Sequence, residues 1–226
     1  MNIISTVKRL ESLFNKRGFS LYFVGGSVRD YLLFKDFFDI DLVTEATPED
    51  MKNILKDADF TFSKFGFVKA HFNGLSFDIT TLRVEEEYSD LRHPKTIRFT
   101  NKLEEDCKRR DFTINGLYMD TNLKVYDYVN GVNDINNKII KMIGDPVVRF
   151  KEDPLRIIRA LRFSLTYKFS IDEQIISAIR QCSGLLESLN PEKIKQDMKK
   201  IRNSSIKEIE EIFGYFNIQK YVDMLK

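Results

Sequence analysis

A chain of 226 residues, 42% hydrophobic and 31% charged with a formal net charge of +2, can bury one core of ordinary size and a second, smaller one. No apolar run approaches the ~18 residues of a membrane span, and the opening MNIISTVKRLESLF carries Lys8, Arg9 and Glu11 where a secretory leader needs an unbroken apolar stretch, so a soluble protein is expected. Cys107 and Cys182 have no C-x-x-C partner and the histidines are only His71 and His93, which excludes a zinc constellation and points to a reducing, cytoplasmic setting.

In chain order, MNIISTVKRLESLFNKRG reads as an amphipathic helix closed by Gly18, SLYFVGG as a strand, and SVRDYLLF as the helix that follows. A strand running into Gly25-Gly26 and then a helix brings backbone N–H groups and a positive helix end to bear on an anion. Arg29, on the first helical turn, can clamp the same phosphate; the alternative for Arg29-Asp30 is a surface ion pair worth little.

FFDIDLVT, residues 37–44, reads as a strand in which Phe38, Ile40 and Leu42 point one way while Asp39 and Asp41 share the other face. Carboxylates that close repel unless a multivalent cation lies between them, so the pair is a candidate Mg²⁺ site; an acidic face on an edge strand accounts for the octapeptide as well. TPEDMKNILKDA starts a helix with Thr47 as N-cap and Pro48 at its first position. FGFVKAHFNG and LSFDITTLRV form a hairpin through Asn73-Gly74. Asp78 alternates with Phe77 and Ile79 and leaves the apolar face, where a third acid could take a proton from an attacking hydroxyl.

From Glu152 onward EDPLRIIRALRFSL, DEQIISAIRQC, PEKIKQDMKKIRN and KEIEEIFGYF are helical in pattern, with Pro191 and Ser183-Gly184 marking turns. The chain is therefore α+β first and all-helical after, with no internal repeat. Residues 1–135 hold 19 Lys and Arg against 22 Asp and Glu, and residues 136–226 hold 17 against 12, so the helical half is the basic one. That excess fits either a solvated helix surface or a nucleic-acid face. In EDPLRIIRALRFSL, Ile157, Ile158, Leu161 and Leu165 fall on one helical arc and Arg156, Arg159 and Arg162 on another; three such arginines read by themselves are most simply a solvated stripe. Metal-bound acids, a third carboxylate and a glycine phosphate seat are together the parts of in-line nucleotidyl transfer.

At this point the sequence resembles the class II tRNA nucleotidyltransferases (CCA-adding enzymes) and the related bacterial poly(A) polymerases. VGGSVRDYLL followed by DID looks like the family's nucleotide and metal motif, EDCKRRDFTINGL like its ribose and phosphate motif, and EDPLRIIRALRF like its base-selecting motif. FDITTLR, YSDLRHP and YDYVNGVNDI also look like family segments, so the resemblance covers roughly residues 20 to 170. It implies a nucleotidyltransferase-type head with a mixed β-sheet and helices over residues 1–135 and a helical neck over residues 136–226. It further implies addition of C and A to a tRNA 3′ end from CTP and ATP with Mg²⁺, in the cytoplasm. A-only or poly(A) addition and a non-catalytic RNA-binding module are the alternatives. VEEEYSDLRHPKTIRFTNKLEEDCK is retained at ordinary length, which disfavours CC-only addition.

On this resemblance Asp39 and Asp41 are the Mg²⁺ ligands, with Asp78 completing the catalytic acids. Gly25, Gly26, Arg29, Arg110 and Asn115 contact the incoming nucleotide, and Asp111 is the candidate for sensing the ribose 2′-OH. Asp153 and Arg156 select the base, because cytosine and adenine share an amino donor beside a ring-nitrogen acceptor while guanine and uracil present the reverse; Arg159 and Arg162 match further nucleotide contacts. Three features depart from the family: Gly116 stands where alanine is usual, YDYVNGVNDI lacks the hinge's usual proline and paired glycines, and body and tail domains are absent. Either the sequence is a piece of a longer protein or the enzyme grips RNA differently.

Overall fold

The computed structural model describes residues 3–36, 39–88 and 94–225. The expectations for Phe38 and for most of YSDLRHP lie outside the described residues. The chain divides into two compact units, one of residues 1–87, 95–110 and 114–132, the other of residues 88–94, 111–113 and 133–226.

The first unit opens with α1 (Ile3–Asn15), which buries Val7, Leu10 and Phe14 at helical spacing. Next come β1 (Tyr22–Val24), α2 (Gly26–Leu32), β2 (Ile40–Thr44) and α3 (Pro48–Ile54). Thr47 caps α3 as expected: its hydroxyl accepts from the Asp50 N–H while the Asp50 carboxylate accepts from the Thr47 N–H, with Pro48 in the first turn. The hairpin of β3 (Phe67–Phe72) and β4 (Leu75–Thr81) closes through Asn73 and Gly74 with Phe72 opposite Leu75, the two-residue connection the dipeptide predicts. After β5 (Arg83–Tyr88), β6 (Pro94–Phe99) and α4 (Leu103–Cys107), the unit ends in β7 (Leu117–Met119) and β8 (Val125–Asp127). A helix α5 (Gly131–Asn136) follows.

A six-stranded sheet has the order β3-β4-β2-β1-β7-β8, and β5 pairs with β6 separately. In the larger sheet β2 and β4 run parallel, and every other neighbouring pair is antiparallel. Phe23, Leu42, Phe77, Ile79 and Tyr118 are fully buried in its core.

The second unit holds β9 (Ile139–Ile140), α6 (Pro146–Glu152), α7 (Leu155–Tyr167), β10 (Ser170–Ile171), α8 (Glu173–Cys182), α9 (Pro191–Met198) and α10 (Ile206–Tyr215). It is helical as expected, with a short parallel β9–β10 ladder that the helical pattern does not disclose. EDPLRIIRALRFSL is not one helix: α6 ends at Glu152, Asp153 is extended at φ −148° and ψ 96°, and α7 begins at Leu155. Proline supplies the reason, since its ring disfavours helical backbone at the residue before it and it has no N–H to donate to the preceding turn. Ser183-Gly184 opens a 3-10 helix, Ser183–Ser188, rather than a plain turn.

Thr47→Ala removes the cap without touching the sheet. It is expected to lower stability by about 1 kcal/mol, read as a shifted urea midpoint at unchanged slope.

Candidate active site

The parallel pairing of β2 with β4 sets Asp41 directly opposite Asp78. Both alternate with core residues, Asp41 with the buried Ile40 and Leu42 and Asp78 with the buried Phe77 and Ile79, so the two carboxylates share the face turned away from that core. Asp39 stands differently from the expectation. The strand begins at Ile40, and Asp39 is an exposed residue in the bend before it. Ser27 fixes that bend, donating its hydroxyl to the Asp39 carbonyl at 3.0 Å and accepting the Asp41 N–H at 3.2 Å. Burial, then the neighbouring Asp78 carboxylate, push the Asp41 carboxyl up to about 6, against the pull of Arg110; Asp39 adds to the rise and Arg29 opposes it. Two acids and two guanidiniums thus act on the Asp41 carboxyl. Asp78 also has Lys69 at 3.8 Å across the hairpin.

Among the described residues no three His, Cys, Asp or Glu side chains are grouped so as to hold a metal ion. The donor set still fits a hard cation such as Mg²⁺, which takes one or two carboxylates and completes its shell with substrate phosphates and water.

Gly25 makes the turn into α2 at φ 64° and ψ −122°, a conformation closed to other residues. Its N–H donates to the Leu117 carbonyl at 3.1 Å, so any backbone contact to a phosphate from this turn falls to the groups after it, from Gly26 onward. Arg29 and Asp30 are no loose surface pair. Arg29 is 6% exposed, donates through Nε and Nη2 to both Asp30 oxygens at 3.0 and 3.1 Å, and gives Nη1 to Asn115 Oδ1 at 2.5 Å. Asn115 therefore aims Arg29.

Arg110 is held by a residue the sequence reading missed. Asp106, fully buried, accepts from Arg110 Nε and Nη2 at 3.1 and 2.9 Å, Arg109 Nε at 2.8 Å, the Tyr118 hydroxyl at 2.7 Å and the Arg83 N–H at 3.0 Å. Burial alone would raise its carboxyl, but Arg109 and Arg110 outweigh it and hold the group well below the usual carboxylate range. Glu85 joins the same network, accepting from Arg83 Nε at 2.8 Å and Arg109 Nη1 at 3.4 Å.

In the second unit, Asp111 accepts the Phe112 N–H at 2.7 Å and has Arg159 Nη2 at 2.6 Å. Asp153 lies in the break between α6 and α7, where its side chain accepts the Leu155 N–H at 3.1 Å. Arg156 is 6% exposed and donates to the Arg149 carbonyl and to Glu152, both at 2.8 Å. Arg162 has Asp197 at 2.7 Å and lies 4.3 Å from the Phe163 ring centre. The arginines of α7 are accordingly no solvated stripe: carboxylates on other elements fix each of them, and Glu152, shared by Arg149 and Arg156, was not singled out from sequence.

Residues 21–141 match the model of the poly A polymerase head domain. The chain belongs to this head-domain family. The CCA-adding enzyme of Staphylococcus epidermidis is 36% identical over 225 residues, 99% of this chain and 56% of that enzyme. The Bacillus stearothermophilus CCA-adding enzyme in complex with CTP superposes at a TM-score of 0.81 with 33% identity, over 89% of this chain and 49% of that one. The Thermotoga maritima CCA-adding enzyme complexed with tRNA gives a TM-score of 0.75 at 27% identity, over 95% of this chain and 50% of that one. The chain thus spans about half the length of the relatives it matches. Membership brings the nucleotidyltransferase head fold with its mixed sheet, in a family that generally uses a divalent metal.

Asp106→Asn leaves Arg109 and Arg110 facing a neutral group and is expected to cost about 3–5 kcal/mol at pH 7. A carboxyl held low in the fold stabilises above its unfolded value near ~3.9 and loses that contribution as pH falls toward the folded value. Acid unfolding of the wild type from about pH 5 downward should therefore flatten in Asp106→Asn, measured by circular dichroism.

Proposed function

We propose that this chain carries out template-independent nucleotidyl transfer, adding C and A to the 3′ end of tRNA from CTP and ATP with Mg²⁺ in the cytoplasm. The observation that carries the proposal is Asp41 set opposite Asp78 in register, with Asp39 and the guanidiniums of Arg29 and Arg110 acting on the same carboxyl. The names of the relatives support the same reading.

In this reading Asp39 and Asp41 hold Mg²⁺, which when bound draws off charge from the attacking and leaving oxygens. Asp78 takes the proton of the RNA 3′-OH as its oxygen bonds to the α-phosphorus and pyrophosphate leaves. Gly25 and Gly26 shape the turn against the triphosphate, and Arg29, aimed by Asn115, and Arg110, aimed by Asp106, neutralise it. Residues 1–135 act as the catalytic head, and residues 136–226 as the neck that chooses the base and grips RNA. Asp111 accepts from the ribose 2′-OH, Asp153 and Arg156 read the shared edge of C and A, and Arg159 and Arg162 support the nucleotide. The presence of every candidate carboxylate in the sequence weighs against a non-catalytic RNA-binding module. Among the described residues no helix is long and apolar enough to cross a membrane.

The test is incubation with tRNA lacking its 3′-terminal CCA, Mg²⁺ and labelled CTP or ATP. Incorporation of both, CTP first, is expected; ATP alone would establish A-only addition, and neither under any divalent metal would overturn transfer. Asp41→Ala should lower transfer by about 10³-fold or more, as expected when a metal ligand acts on the transition state, while filter binding of tRNA stays near the wild-type level. Parallel loss of both in a folded variant would contradict that division of labour.

Asp153→Ala should relax base choice before it abolishes transfer, because the acceptor for the amino group of C or A disappears. Single-nucleotide incorporation of CTP, ATP, UTP and GTP beside the melting temperature checks this. Uniform loss with a lower melting temperature would make Asp153 a structural cap for α7 instead.

A further inference from the structure

The first unit has a cleft of about 470 Å³ that Asp41 and Arg110 share with an aromatic wall the assignments above do not use. Val24, Asp41 and Thr80 line its sheet face, Arg83, Arg109 and Arg110 supply its cationic side, and Phe62, Phe65 and Phe67 form an apolar wall. Phe62 is 56% exposed and Phe65 37%, although both stand in a cleft that Asp41 and three arginines also line. Isolated exposed rings need no explanation; two on one wall of a charged cleft, next to a catalytic acid, do.

The wall is built rather than incidental. Phe62 meets Phe67 edge to face at 6.4 Å. Between Phe65 and Phe67 the chain turns at Gly66 with φ 77°, where a Cβ would come within 2.9 Å of the Phe99 ring. The Gly66 carbonyl accepts the Thr81 N–H at 2.7 Å, and Arg83 Nη1 donates to the Phe65 carbonyl at 2.5 Å. Arg83, one of the three arginines that line the cleft, thus also braces the aromatic turn.

Sheet order decides what the wall faces. Asp41 and Asp78 lie on the adjacent strands β2 and β4; the cleft runs from Val24 and Arg110, beside the Gly25 turn that leaves β1, across Asp41 to Phe67 on β3, so its aromatic wall is the end away from that turn. In-line displacement puts the attacking oxygen and the leaving group on opposite sides of the reacting phosphorus. With the triphosphate on the Gly25 and Arg29 flank, the attacking 3′-OH arrives from the flank of β3. Single-stranded nucleic acid is held by just such a pairing of aromatic faces for bases with cations for phosphates.

We propose that Phe62 and Phe65 form a stacking platform for the 3′-terminal base of the RNA primer, with Arg83 and Arg109 against its terminal phosphates. The inference rests on the transfer reading for its orientation. An aromatic platform grips any base alike, which suits a primer end that changes identity after each addition.

The test uses the 226-residue chain and a short single-stranded RNA ending in 4-thiouridine, so it requires no turnover. Photocrosslinking followed by peptide mapping is expected to place the adduct on Phe62 or Phe65. Phe62→Ala and Phe65→Ala should each weaken RNA binding about 10-fold and leave CTP and ATP affinity unchanged, while Phe62→Tyr keeps wild-type binding. An adduct on another segment, or unchanged RNA affinity in both alanine variants at wild-type melting temperature, would overturn the platform. A fall in nucleotide affinity with RNA affinity intact would overturn it too, assigning the wall to the incoming base. Wild-type protein that crosslinks at Phe62 or Phe65 yet incorporates no nucleotide would refute the transfer reading and leave the platform standing.

Discussion

Two carboxylates that the backbone forces side by side are the constraint from which the rest of the head follows. The parallel ladder between β2 and β4 leaves Asp41 and Asp78 no choice of partner, and a slip of one residue would send every side chain of the strand to the opposite face. Neither acid can move away without breaking a strand whose alternate residues, Ile40, Leu42, Phe77 and Ile79, are core. The repulsion is stored in Asp41, whose carboxyl rises to about 6 through burial and the Asp78 charge. Near neutral pH such a site gains from a cation bound at Asp41, which makes it receptive to a hard divalent ion.

Fixed positive charge completes the balance, and each arginine that supplies it is itself held by polar side chains. Asn115 takes Arg29, and Asp106 takes Arg109 and Arg110 together with Tyr118 and the Arg83 backbone. Guanidiniums so fixed need little reorganisation when a phosphate arrives, which is the electrostatic advantage of a prepared site over a flexible one. The second unit repeats the device: Asp111 faces Arg159, Glu152 faces Arg149 and Arg156, and Asp197 faces Arg162. On the proposed function, an arriving nucleotide meets guanidiniums already held in place rather than loose side chains.

Legibility in the sequence followed how local each interaction is. Thr47-Pro48 and Asn73-Gly74 were readable because capping and tight turns are settled within four residues. The alternation around Asp41 and Asp78 was readable because a strand face has period two. Their registry was not, since parallel pairing joins strands separated by a hairpin arm and a helix. Asp106 was missed for the opposite reason: in NKLEEDCKRR it looks like one more acid on a charged helix surface, and only the return of Tyr118 and Arg83 buries it. The break at Asp153 had its signal in Pro154, which the regular spacing of apolar residues and arginines on either side obscured. The aromatic turn at Phe62–Phe67 carried no motif at all, and its meaning comes from sheet order.

The central claim is that Asp41, in register with Asp78, makes the head a divalent-cation site completed by a nucleoside triphosphate. Electron paramagnetic resonance of Mn²⁺ titrated into the protein with ATP, wild type beside Asp41→Asn, measures this directly. The account predicts a protein-bound Mn²⁺ population in the wild type that requires ATP and is largely lost in Asp41→Asn. The same partition of Mn²⁺ in both proteins, with ATP still bound, would contradict it.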